Sequence, residues 1–297
     1  MENNKEYKKH MRAVEKNGFN LNQVPEEFIT QELCEIAVAQ EGYAIAFVPE
    51  ELRTKELCDV AIKDFPFALR FIPEELKTKE LCEMAVRKAE EGFILEYVPA
   101  ELKTPEMCLE VVKKSGLNLC YVPEELKTQE ICEAAVTKNG ANLEYVPEKF
   151  KTLDMCERAV TSDPDALEFV PDKLRTKEIC DLAINGFGGK LGNVPEELRT
   201  PELCKVAIDY NGMALEFVPT EFRTEQLCEQ AVTQNPYALQ FVPSEHRGIE
   251  MCELALNHVD YDFKDEFLES YVPEAFQEEV LNDLDIETPK KIVERGR

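Results

Sequence analysis

The sequence predicts an all-α solenoid of about ten or eleven two-helix repeats with a period of 24 residues, and three observations carry that expectation. Eleven prolines follow Val or Ile, at Pro25, Pro49, Pro73, Pro99, Pro123, Pro147, Pro171, Pro195, Pro219, Pro243 and Pro273. Their spacing is 24, 24 and 26, then six times 24, then 30, and a fixed period of this size means stacked units. A cysteine falls nine residues after each of the first ten prolines, Cys34 through Cys252. Leu, Cys, Ala and Val then recur at offsets eight, nine, twelve and thirteen, which places one apolar stripe on a helix.

Each element has a local cause. Thr stands five residues after nine of the prolines, Thr30 through Thr224, and its hydroxyl suits a helix N-cap. Pro105 and Pro201 directly follow such threonines, where proline is best tolerated in a helix. Gly42, Gly92, Gly116, Gly140 and Gly212 are expected to end the first helix as left-handed caps, with Pro66, Pro164 and Pro236 stopping it elsewhere. A shorter second helix carries Leu four before the proline, an aromatic residue two before and Val one before. It is expected to be broken or kinked at the proline, which lacks an N–H and disfavours helical geometry in the preceding residue. Such a unit cannot bury its own apolar stripe, so stability must come from stacking on neighbours. The chain reads as a single repeat domain over 1–297: an opening half-unit at 1–24, ten repeats at 25–272, a closing helix at 273–284 and a polar tail at 285–297.

The framework Ala-Val-x-x-Asn-Gly-x-Ala-Leu-x-Phe-Val-Pro-Glu-Glu-Leu-Lys-Thr resembles a family of short helical repeats from bacteria and large viruses, catalogued as a domain of unknown function. The resemblance runs from residue 11 to about 280. It implies a helical array in proteins suspected of host interaction, and it carries over no catalytic residues.

Composition narrows the function. With 34 Lys or Arg against 60 Asp or Glu the net charge is −26, so direct nucleic-acid binding is not expected. A hydrophobic fraction of 44% nevertheless supplies a core. No apolar run approaches the roughly 18 residues a membrane crossing needs, and the opening Met1-Glu-Asn-Asn-Lys-Glu-Tyr does not resemble a signal peptide. A cytoplasmic protein is expected, with export into a host through a signal not legible in the chain left open.

The cysteine row invites a metal or disulfide reading, but no CxxC pair occurs, and equivalent residues of adjacent units lie about one helix spacing apart. Reduced packing thiols are the expectation. Cys120 is off the register and is the expected exposed thiol. The aromatic row two before each proline, Phe47 to Tyr271, is expected in the core. Tyr97, Tyr121 and Tyr145 are consecutive in it, their hydroxyls need water or a partner, and with Cys120 they form one candidate binding patch. Gly188, Gly189, Lys190 and Asn193 form a second candidate, a hinge or notch in a degraded second helix. That stretch fails as a phosphate loop because Leu191 stands where Ser or Thr is needed. His246, Cys252 and His258 read as a decaying terminal unit before they read as a metal site. No catalytic, cofactor-binding or metal residues are assigned.

Of the 60 acids, sixteen fall at offsets one and two, nine at seven and nine at ten, while nine Lys or Arg, Arg53 through Arg247, occupy offset four. Stacking would turn these offsets into an acidic ridge beside a basic one. The expected function is a non-catalytic scaffold that binds a protein partner, a basic one being compatible with the acidic ridge, through an extended repeat surface, with a monomer preferred. The alternative is an acidic decoy that mimics nucleic acid and occupies a DNA- or RNA-binding protein.

Overall fold

The computed structural model describes residues 2–90, 92–187 and 189–283; the expected polar tail and Gly188 lie outside them. The chain divides into two compact units, Met1–Phe150 and Lys151–Arg297, each described by itself. The first holds α1 (Glu2–Lys16), α2 (Gln31–Gln40), α3 (Lys55–Asp64), α4 (Lys79–Lys88), α5 (Pro105–Lys114) and α6 (Gln129–Lys138). The second holds α7 (Leu153–Ser162), α8 (Lys177–Phe187), α9 (Pro201–Tyr210), α10 (Glu225–Gln234), α11 (Ile249–Asn257), α12 (Lys264–Tyr271) and α13 (Glu274–Asp283). Short 3-10 segments join them and no strand occurs among the described residues, so the fold is an all-α solenoid of successive, locally packed repeats.

All nine threonines cap their helices, each Oγ1 accepting the backbone N–H three residues on at 3.2–3.4 Å. In α2 the stripe Leu33, Cys34, Ala37 and Val38 is completely buried. The helix then stops at Glu41, whose extended backbone (φ −142°) donates its N–H to Ala37 O at 3.0 Å.

The second helix is short and interrupted at the proline, as expected, but its hydrogen bonding is 3-10. Gly42–Phe47 forms six residues of it, Val48 and Pro49 run extended, and Glu50–Leu52 adds one more turn. Burial follows a period of three: Gly42, Ile45 and Val48 face the core. Asn17, Asn139, Asn211 and Asn235 open these segments, each Oδ1 accepting the N–H two residues on at 2.9–3.0 Å.

The expectation of left-handed glycine caps fails: among the described residues only Gly92 is left-handed (φ +90°), and it lies in the loop beyond α4, whose C-cap is Ala89, beside the two-residue insertion that lengthens its repeat to 26. Gly42, Gly116, Gly140 and Gly212 instead form the first residue of the second helix. At three of them the requirement is close approach: a Cβ at Gly42 would lie 2.5 Å from Ala61 O, one at Gly116 would lie 2.8 Å from Ala135 O, and one at Gly212 would overlap Ala231 O. Each such oxygen belongs to the next repeat's first helix, so a side chain would push two repeats apart.

The nine offset-four cations do not form a free ridge. Lys77, Lys103 and Lys127 reach Tyr97 O, Tyr121 O and Tyr145 O at 3.0, 2.7 and 2.8 Å, and Lys151, Arg199 and Arg223 make the same bond to Phe169 O, Phe217 O and Phe241 O at 2.7–2.8 Å. Each fastens its own repeat to the carbonyl end of the next one's second helix. Several also pair back to the acid three residues earlier, as in Lys77–Glu74 at 2.7 Å and Lys127–Glu124 at 3.1 Å. The Lys127 side chain is only 11% exposed. Lys127→Met should therefore cost about 1.5 kcal/mol in urea unfolding, the lower range for a hydrogen bond from a charged donor. Glu125→Gln, at an exposed carboxylate, should change stability by less than about 0.5 kcal/mol.

The ends depart from the pattern as their lengths require. The 30-residue final spacing keeps one 3-10 turn, Tyr261–Phe263, and follows it with α12, and α13 closes the array. Gly248 stands in the threonine position and caps α11 without a side-chain bond.

Candidate functional site

A period of three gives the second helix three columns: the one through Ile45 and Val48 is buried, the one through Ala44 and Phe47 is buried at Ala44 and half-buried at the ring, and the third, through Tyr43, faces outward. Residues two before the proline lie in the second of these columns, so the aromatic row borders the core and is not enclosed in it, contrary to expectation. Phe47, Phe71, Tyr97, Tyr121, Tyr145, Phe169, Phe241 and Tyr271 are half-buried and Phe217 is exposed. The third column carries a row the sequence reading missed, six residues before each proline. In the first unit it reads Phe19, Tyr43, Phe67, Phe93, Leu117 and Ala141, with Phe19, Tyr43, Phe93 and Leu117 each 37–44% exposed. In the second unit it becomes Asp165, Gly189, Met213, Tyr237 and the buried Phe267, so the continuous edge belongs to the first unit, from Phe19 to Leu117 in this row and on to Tyr145 in the row two before the proline.

The rings touch along this edge. Tyr43 lies 5.8 Å from Phe19, 5.9 Å from Phe47 and 5.3 Å from Phe71, and Phe93 lies 5.8 Å from Tyr121. The Arg70 guanidinium sits over two successive rings, 5.1 Å from the Phe71 centroid and 5.7 Å from that of Tyr97. Contiguous exposed apolar surface of this kind marks an interaction site more often than scattered residues do.

Tyr97, Cys120, Tyr121 and Tyr145 come together on that edge, with Glu96 and Glu144 among them. Desolvation raises the Tyr121 phenol above its ordinary range and the Glu96 charge adds to it. A hydrogen bond with Glu144 raises that of Tyr145, and Cys120 and Tyr121 contribute to the same shift. Cys120 is the one exposed cysteine of eleven, its thiol donating to Leu117 O at 3.0 Å. Two buried amides lie in the same segments, Asn118 and Asn142, at a position where five other repeats carry Ala. Asn118 Nδ2 donates to Gly92 O at 2.9 Å and Asn142 Nδ2 to Ala135 O at 2.9 Å. The departure from Ala in that column was the signal available for them.

The ten register cysteines are buried. Desolvation pushes nine of them, Cys34 and Cys58 among them, up to about 11, which keeps them protonated and unreactive. A thiol reagent should accordingly modify one cysteine per native chain, at Cys120, and eleven after unfolding, counted by intact-mass spectrometry.

The second candidate patch lies in the other unit. Its helix α8 runs on to Phe187 and its 3-10 segment shrinks to Leu191–Asn193. Gly189 is buried and donates its N–H to Ala183 O at 3.1 Å, and Lys190 Nζ lies 3.4 Å from Asp165. Asn193 is half-buried, and its Nδ2 makes no hydrogen bond. These residues form a degraded repeat and do not converge on a common point. His258 Nδ1 lies 2.8 Å from Leu254 O, and no three His, Cys, Asp or Glu side chains gather as a metal site among the described residues. No helix among them is long and apolar enough to cross a membrane.

These features define an all-α tandem-repeat protein. The chain belongs to the family described as a domain of unknown function, DUF4116, whose model matches residues 10–53, 54–103, 104–151 and 200–247, more than half of the sequence. Each match spans two of the 24-residue repeats, as 54–103 spans α3 and α4. No curated protein and no solved structure matches the chain.

Proposed function

We propose that this chain is a non-catalytic scaffold that binds a protein partner through its repeat surface. The observation that supports this best is the exposed apolar edge from Phe19 to Tyr145, a row of rings that the first unit's core does not need. Repeat arrays offer extended surfaces of this kind because each unit presents the same columns in register. We place the protein in the cytoplasm as a monomer. The test uses the full chain as bait in lysate from its source, washed from low to moderate salt. A protein retained throughout is expected, since an apolar interface is weakly screened. Turnover of a substrate by the isolated chain, or no retained protein at any salt, would overturn the reading.

The decoy alternative gains one observation. The offset-four cations are spent on backbone carbonyls, which leaves the acids of offsets one and two as the exposed charge beside them. A decoy predicts that the partner is a nucleic-acid-binding protein, and that its retention falls steeply as salt rises.

A further inference from the structure

Arg70 shows what this edge accepts. It stands three residues before Pro73 and lays its guanidinium over its own repeat's Phe71 ring and over Tyr97 of the next repeat, at 5.1 and 5.7 Å. The equivalent positions in the next three repeats are Glu96, Cys120 and Glu144, beside Tyr97, Tyr121 and Tyr145. There the rings persist, but the cation is replaced by a carboxylate in two of the three repeats. Glu96 and Glu144 are exposed, and both act electrostatically on the neighbouring phenols. Aromatic faces flanked by carboxylates favour a guanidinium, which stacks on one and forks to the other.

We infer that the edge from Tyr97 to Tyr145 binds an extended, arginine-bearing segment of a protein partner, one guanidinium per repeat, in the place that Arg70 fills one repeat earlier. The inference rests on the scaffold reading and names the chemistry of its partner. Spacing refines it. Packed helices of successive repeats lie about 8–10 Å apart, and a polyproline-type chain advances about 3.1 Å per residue, or about 9.3 Å in three. Arginines at every third position therefore match the repeat.

The test is a titration of the full chain with three capped ten-residue peptides of Ser, Pro and Arg or Lys. One carries Arg at every third position, one groups the same arginines together, and one carries Lys at every third position. Tyrosine fluorescence serves as the readout, because the chain contains no Trp. The spaced-Arg peptide should bind at least about threefold tighter than either of the others. Glu96→Gln with Glu144→Gln should weaken it about tenfold, and Tyr121→Leu should weaken it while Tyr121→Phe does not. Glu168→Gln with Glu216→Gln, in the second unit, should leave it unchanged. Equal binding of all three peptides, no binding, or indifference to the Glu96 and Glu144 variants would overturn the inference. Sedimentation of the chain alone adds one outcome: a dimer lost in the Glu96→Gln, Glu144→Gln variant would put a second copy on the edge and overturn it too. A partner captured equally by wild type and by that variant would overturn this inference while leaving the scaffold reading in place.

Discussion

Raising the pH from 9 to 11 should unfold the array. Nine buried thiols have their ionisation pushed from 9.0 up to about 11, so the folded state favours the neutral form. Their contribution is therefore fully present below the unfolded value and is lost as pH climbs through the window between the two. Each thiol forfeits about 1.4 kcal/mol per pH unit there. The five in the first unit together forfeit about 7 kcal/mol per pH unit and the four in the second about 6, comparable to the roughly 5–15 kcal/mol that holds a domain folded. Far-UV circular dichroism should show helix lost within about one unit above pH 9. Replacing Cys82, Cys108 and Cys132 by Ala should move the loss in α4–α6 to higher pH, at a cost of about 1 kcal/mol each near neutrality. Helical signal that persists to pH 11 in the wild type would contradict this expectation, the fold then outweighing the linked ionisation of its thiols.

The second large effect is expected at Gly42. An added Cβ would stand 2.5 Å from Ala61 O and 3.0 Å from both Asp64 Cβ and Phe65 N, the carboxyl end of α3, which has no room to yield. The Gly42 N–H also donates to Asp64 Oδ2 at 2.7 Å, a bond that a shift of the backbone would stretch. Gly42→Ala should cost about 2–3 kcal/mol in urea unfolding, with hydrogen exchange accelerated first around residues 42–65. Gly248→Ser is the contrast. Nothing lies within 4 Å of an added Cβ there, and the serine would supply the cap that α11 lacks. A gain of a few tenths of a kcal/mol is expected.

These two glycines also show where the sequence was legible and where it was not. Thr30 and its eight equivalents could be read as caps because the signal is local: a hydroxyl three residues before an N–H that needs an acceptor. The cysteine row could be read because Leu, Cys, Ala and Val lie on a ten-residue helix, long enough to show its period. Gly42–Phe47 spans six residues, too few to separate a period of 3.6 from one of three, and the aromatic residue two before the proline ends half-buried at the margin of a column whose Ala44 is fully buried. The short span also hid the row of Phe19, Tyr43 and Phe93, whose outward direction depends on the tighter helix. The glycines were read as caps because a left-handed residue is the common way to end a helix, whereas the cause here is a carbonyl 19 residues away, in the next repeat's first helix. Lys103 and Lys127 were read as a ridge because a sequence shows which side chains are charged but not which carbonyl they reach.

The central claim is that the chain meets its partner with the aromatic edge of its first unit, and the most direct measurement is radical footprinting of the captured complex. Phe19, Tyr43, Phe93, Leu117 and Tyr121 should lose labelling when the partner is bound, while Val60 and Leu153, exposed on the outer faces of α3 and α7, keep theirs. Protection of Val60 and Leu153 with the aromatic rows still labelled would contradict the account.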